Sequence, residues 1–224
     1  MRALLLLPLL PGCAAGIDLG RATALSAGET RYSAGVETSY LTVSLQPGEA
    51  APAPWAALET GVHHGLGHNF ELGARAWGFG LPWLFNTLGV AGDAKLQVVH
   101  GAGPDVALAL SLAYHRAALG GTPTHVGEVT VPVLVGFDLG ESQFVVSPRF
   151  RGGVVGSVGQ VPIVLGGGGL GVAWYLPVRR LEVAPEVIVT YSPIALDGEV
   201  KSADKRGGWV IEVGGAVSFG RQKP

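Results

Sequence analysis

From Phe70 to Trp77 the chain alternates: Phe70, Leu72, Ala74 and Ala76 are apolar, and Glu71, Gly73, Arg75 and Trp77 fall between them. A period of two marks a strand with two unlike faces, because successive side chains of an extended chain point to opposite sides. The pattern recurs where Val90, Ala94, Leu96 and Val98 alternate with Asp93, Lys95 and Gln97, and again in the apolar series Val129, Val131, Val133, Val135 and Phe137. The charges keep to one phase. Glu37, Glu59, Glu71, Arg75, Asp93, Lys95, Glu128, Arg149, Glu182, Glu186 and Glu212 all fall in step with Gly, Ala, Ser or Gln and out of step with the Val, Leu and Phe series. One face of each strand is thus fit for a medium that excludes charge.

Ten strands are expected, at roughly 32–45, 55–63, 69–78, 90–99, 105–115, 128–138, 142–152, 167–176, 181–191 and 208–219. The links between them alternate in length. "HGLGH", "HGAGP", "LGE" and "PVRR" read as short turns, and "QPGEAAPAP", "GFGLPWLFNTLGV" and the stretches around "AALGGTPTHVG", "VVGSVGQVPIVLGG" and "SPIALDGEVKSADKRGG" read as long loops. Charged residues make up only 14% of the chain, against about 25% in ordinary soluble domains. After the first dozen residues no apolar run approaches the roughly 20 residues of a spanning helix. Lipid then leaves one solution, a closed barrel with every backbone group paired. The fold class expected is all-β, an antiparallel up-and-down transmembrane barrel of about ten strands, with eight or twelve as alternatives. A net charge of −2 argues against a nucleic-acid partner held by its phosphates.

The opening "MRALLLLPLLPGC" has one positive residue, Arg2, and an apolar core from Ala3 to Leu10, as a secretory signal does. The only cysteine follows at Cys13, and Leu10-Pro11-Gly12-Cys13 resembles the lipobox of bacterial lipoproteins. That resemblance implies a signal peptide over 1–12 and an acylated Cys13. Cleavage after Cys13-Ala14-Ala15, giving a signal over 1–15, is the alternative, and Pro11 is the departure from the lipobox pattern. The remaining organisation is then an N-terminal periplasmic segment at 13–31, a barrel at 32–219 and a polar tail at 220–224.

Short turns on one side and long loops on the other resemble the outer-membrane barrels of Gram-negative bacteria. The last strand adds to the likeness. Glu212, Gly214, Val217 and Phe219 occupy the places of the insertion signal of that superfamily: a polar residue, Gly, an apolar residue and an aromatic. The resemblance implies both termini in the periplasm, membrane lipids and lipopolysaccharide as surroundings, the outer-membrane assembly machinery as partner, and a monomer. Residues Glu59, Glu71, Arg75, Asp93, Lys95, Arg149, Glu182, Glu186 and Glu212 would form a mixed-sign charge network in the lumen. Barrels of eight strands are filled by side chains and open pores need about 16, so ten favours a filled interior.

Pro132, Pro148 and Pro185 interrupt apparent strands and are expected at bulges or strand ends, and the Gly166–Gly169 run at a loop end or a crowded lumen. Trp77, Trp83, Phe85, Trp174, Tyr175 and Trp209 are assigned to aromatic girdles at the membrane interfaces. Chemistry is sparse. His63, His64 and His68 cluster at an expected turn without cysteine or carboxylate support, so neither a metal nor a cofactor is assigned. The ten-stranded omptin proteases resemble this chain in strand number, but their Asp-Asp and Asp-His pairs have no counterpart, since His115, His125, Asp197 and Asp204 stand apart. The function expected is a lipid-anchored, non-catalytic outer-membrane barrel with a structural or surface-exposed role. A narrow channel for a small or apolar solute, a lipid-modifying barrel enzyme and a soluble periplasmic lipoprotein with a β-sandwich are the competing readings.

Overall fold

The computed structural model describes residues 20–42, 54–81, 85–101, 103–119, 123–157, 163–196 and 208–220. They form ten antiparallel strands: β1 (Thr30–Thr42), β2 (Pro54–Gly67), β3 (Phe70–Leu81), β4 (Phe85–Val99), β5 (Asp105–Leu119), β6 (Thr124–Leu139), β7 (Ser142–Ser157), β8 (Ile163–Val178), β9 (Leu181–Leu196) and β10 (Gly208–Gly220). Each strand pairs with its neighbours in sequence, and β10 also pairs with β1 from Arg31↔Gly220 to Thr42↔Trp209. The sheet is a closed barrel. Closure leaves no edge whose N–H and C=O groups lack partners. Ten is the observed strand count, so the eight- and twelve-stranded alternatives fall away.

The strands outrun the alternation that announced them. Links between β3 and β4 and between β5 and β6 cover only 82–84 and 120–123, while the turn between β4 and β5 covers 100–104. The strict alternation of short and long links therefore fails at these places. Gly78, Gly80 and Gly89 lie inside β3 and β4, in a stretch whose glycines and proline read as loop punctuation. At the opposite end His68 and Asn69, with φ of 53° and 60°, join β2 to β3 in the positive-φ geometry that suits the right-handed twist of a hairpin.

The prolines neither end strands nor shift register. Beside Pro132 the β5–β6 pairing passes from Leu108↔Val133 to Ser111↔Thr130, and beside Pro185 the β8–β9 pairing passes from Ala173↔Glu186 to Leu176↔Val183. Pro148 lies in the corresponding gap of β6–β7, between Pro132↔Arg149 and Val135↔Val146. Each ladder loses rungs where the proline has no N–H to give, then resumes in the same register. True register shifts occur at Gly65/Gly67, Gln97/Val99 and Gly166/Gly168. The Gly166–Gly169 run is thus strand with a bulge, not a loop end.

Alternation sorts the two faces cleanly. Leu58, Leu88, Val90, Leu112, Phe150 and Leu170 are each half or more exposed on the outside. Among the described strand residues the outward series carries one charged side chain, Arg116, near the end of β5. Outward aromatics gather toward both ends. Tyr32 stacks on Phe219 across the β1–β10 seam with centroids 5.7 Å apart, and Phe137, Phe144 and Trp174 lie in one row across β6, β7 and β8. At the other end Tyr191 packs on Trp209 at 4.8 Å, and the Tyr114 hydroxyl meets His125 Nδ1 at 2.6 Å.

Two of the expected girdle residues point the other way. Trp77 and Tyr175 are each only 3% exposed and face inward, in phase with Arg75 and Ala173. Trp83 and the side chain of Phe85 lie outside the described residues.

Candidate functional site

The interior is the part of this molecule with chemistry to offer. Two levels of it differ in how they are filled.

At mid-strand height the barrel's own side chains fill it. Arg75, from β3, donates through Nε to Asp93 Oδ2 at 2.6 Å and through Nη2 to Asp93 Oδ1 at 2.9 Å, the paired geometry in which guanidinium and carboxylate bind best. Its remaining donors reach Ser111 at 2.9 Å and Glu59 at 3.4 Å, so one side chain ties β2, β3, β4 and β5 together. Across the lumen Arg151 of β7 joins Glu128 of β6 at 2.6 Å to Glu212 of β10 at 2.8 Å. Arg149 bonds Ser147 Oγ at 2.6 Å and Glu186 of β9 at 3.2 Å. Glu37 lies on β1 opposite Gly214, in one row with Glu186 beyond it and diagonal to Glu212. Three arginines thus serve the carboxylates of five strands.

Toward the short-turn end the filling is a piece of backbone. Residues 20–28 enter the lumen before β1 begins. Ala22 is fully buried among Ala107, Ala109, Leu134, Val145, Ala173, Tyr175 and Ala184, an apolar socket in the lumen wall. Its N–H donates to Gln143 Oε1 at 2.9 Å, that of Ala24 to Gln97 Oε1 at 3.0 Å, and that of Leu25 to Glu71 Oε2 at 3.1 Å. Lys95 donates to the Arg21 carbonyl at 3.1 Å, Thr23 donates to Asp105 at 2.7 Å, and the Arg21 side chain pairs with Glu182. Strands β3, β4, β5, β7 and β9 all hold this strap. A Cβ on Gly65 would lie 2.2 Å from the Ser26 carbonyl oxygen, and one on Gly136 would lie 2.7 Å from the Ala22 methyl, so both positions leave the room it needs.

Every residue of the expected charge network has its side chain in this interior. Glu71, 1% exposed, meets His63 Nδ1 at 3.0 Å and Lys95 Nζ at 2.8 Å, while Glu59, Arg75, Asp93, Arg149, Glu186 and Glu212 stand at mid-height and Glu182 at the strap. The insertion-signal positions divide between faces: Glu212 inward on Arg151, Val217 and Phe219 outward, with Gly214 paired to Glu37 and Glu186. Cys13 lies outside the described residues, as do Asp197 and Asp204.

The histidines do not assemble. His63 points inward and His64 outward, where it meets Thr30 Oγ1 at 2.8 Å; they sit in β2, not in a turn. Among the described residues no group of three His, Cys, Asp or Glu has metal-binding geometry. His115 is fully buried in the upper lumen beside Trp77, ring centroids 6.3 Å apart. Both its nitrogens, Trp77 Nε1 and Thr87 Oγ1 are buried without hydrogen-bond partners.

The strap and this unpaired patch were missed in the sequence. A signal for the strap exists: Gln97 and Gln143 are inward amides, which seek partners of their own.

No known protein family and no curated protein matches the chain. Solved structures that resemble it are bacterial outer-membrane barrels. The translocator domain of the autotransporter NalP from Neisseria meningitidis aligns at TM-score 0.47 and 12% identity, covering 96% of this chain and 95% of that one. The outer membrane protease OmpT from Escherichia coli aligns at 0.41 and 8%, covering 89% and 98%. Neisserial surface protein A aligns at 0.38 and 9%, covering 85% and 96%.

Proposed function

We propose that the chain is an integral outer-membrane β-barrel of a Gram-negative bacterium, monomeric and non-catalytic, with a structural or surface-exposed role. The observation that carries this reading is the outer face: an apolar belt around all ten strands, aromatic pairs toward both ends, and Arg116 as its one described charge. Soluble monomers rarely expose contiguous apolar patches beyond a few hundred Å². A lipid-facing Arg or Lys costs about 2–4 kcal/mol at the bilayer midplane and little near the interface, where Arg116 would stand.

A structural role is favoured over a channel by the lumen, where guanidinium–carboxylate bonds at mid-height and the strap below occupy the conducting path. The proposal extends to both termini in the periplasm, as an even strand count with periplasmic short turns requires, to an acyl chain on Cys13 in the adjacent leaflet, and to recognition of Glu212, Gly214, Val217 and Phe219 by the assembly machinery. Surroundings are then membrane lipids and lipopolysaccharide.

Membranes from an expressing Gram-negative host, washed with carbonate, test the placement. The protein should stay in the pellet and migrate differently on a gel when heated and unheated; release by carbonate with a single mobility would overturn it. Cells fed labelled palmitate test the anchor: label lost on Cys13→Ser supports acylation, and label retained refutes it.

A further inference from the structure

The strap is bound unlike any other part of the barrel. Its main chain makes no continuous ladder; the nearest approach is the pair Gly28 N–H to Gly65 C=O at 2.8 Å and Gly65 N–H to Glu29 C=O at 2.9 Å, where it leaves the lumen. Every hold upstream of that point uses a side chain, either of the wall or, for Arg21 and Thr23, of the strap itself, and its one fully buried side chain is the methyl of Ala22. Ser26, Ala27 and Gly28 are exposed. Gly28, with φ of +79° and open space around its Cβ position, is a natural pivot. The mid-height ion pairs share no strap residue with these contacts.

We infer that residues 20–28 are a withdrawable stopper: seated, they seal the lumen at the short-turn end, and withdrawn, they admit solvent as far as the Arg75–Asp93 pair while the barrel stays closed around them. The apolar socket of Ala107, Ala109, Leu134 and Ala184, whose small alanine side chains leave room for the Ala22 methyl, is the stopper's seat. Gly65 and Gly136 are the clearance it passes through. The inference rests on the barrel's geometry and not on its compartment, so its failure would leave the outer-membrane reading standing.

The test uses the full chain folded in detergent, with Cys13→Ser so that an engineered thiol is the only one. Ala109→Cys places that thiol in the seat and Ala91→Cys places one beside Trp77, beyond the ion pair. Ala22→Asp, which puts a carboxylate into the apolar seat, is the releasing substitution, and trypsin cleavage after Arg21 reports release. Heat-dependent gel mobility reports that the barrel is intact. With the strap seated, Arg21 should resist trypsin and a maleimide should label the thiol at 109 slowly. With Ala22→Asp, cleavage and labelling at 109 should both rise by on the order of tenfold or more, as for a local opening, while the thiol at 91 stays protected. Fast labelling at 109 with the strap seated, protection at 109 after Arg21 has become cleavable, or an Arg21 that stays resistant in a folded Ala22→Asp protein would each overturn the inference. Should Ala22→Asp fail to fold, Gly65→Val, which crowds the strap from the wall, takes its place with the same outcomes.

Discussion

The middle of the lumen and its short-turn end are both closed, but by different means. At mid-height the strands close it themselves: Arg75, Arg149 and Arg151 each bind carboxylates on neighbouring or facing strands, and the wall cannot part without leaving a buried charge alone. At the short-turn end a foreign segment closes it, held by three main-chain N–H bonds, a few side chains and one methyl. The first closure is part of the barrel's stability. The second is separable from it, since strap contacts can be lost while every ladder remains.

The largest effect should come from breaking the mid-height closure. Arg151→Ala leaves Glu128 and Glu212 facing each other without their shared cation, and should lower stability by about 3–5 kcal/mol, the usual cost of orphaning a buried charge, in urea unfolding from micelles. Next is the same kind of side chain on the wrong face. Leu112→Arg, one residue from the Ser111 that Arg75 bonds, turns a guanidinium outward and should cost about 2–4 kcal/mol in lipid if that face meets the bilayer.

At the strap the effect should be smaller and local. Gln143→Ala leaves the Ala22 N–H unsatisfied and should weaken strap seating by about 1–3 kcal/mol, read as faster trypsin cleavage after Arg21, with a smaller loss in global unfolding from its bond to Asp138. The smallest effect has the opposite sign. His115→Phe replaces two unpaired ring nitrogens with carbon against Trp77 and should stabilise by about 1 kcal/mol in the same urea unfolding.

The wall of this barrel was legible in the sequence because a period of two admits only two assignments. Once Phe70 and Leu72 face out, Glu71 and Arg75 face in, and the charges follow strand by strand. Trp77 and Tyr175 show what happens when residue type is allowed to outvote phase. Both stand in step with the polar series, both are inward, and only the general preference of aromatics for membrane interfaces had placed them outside. Connection lengths were harder to read because Gly78, Gly80, Pro82 and Gly89 look like loop residues locally, although closure requires most of that stretch to be strand.

The strap was not legible. "GRATALSAG" has neither alternation nor a run of charge, and the side chains that hold its buried part come from residues 46 or more positions away in the chain. Only the finished barrel brings Gln97, Gln143, Glu71 and Asp105 around one axis. The pairing of charges was similarly hidden: the sequence put Arg151 outside its list of lumenal charges, yet it bridges two carboxylates there.

The most direct measurement of the central claim, an outward face in lipid around a sealed interior, uses tryptophans that the structure places on opposite sides. Variants retaining only Trp77, only Trp174 or only Trp209, reconstituted in bilayers whose acyl chains carry bromine, would be compared by fluorescence. Quenching of Trp174 and Trp209 with Trp77 spared is the expected result. Equal quenching of Trp77, or none at Trp174 and Trp209, would contradict it.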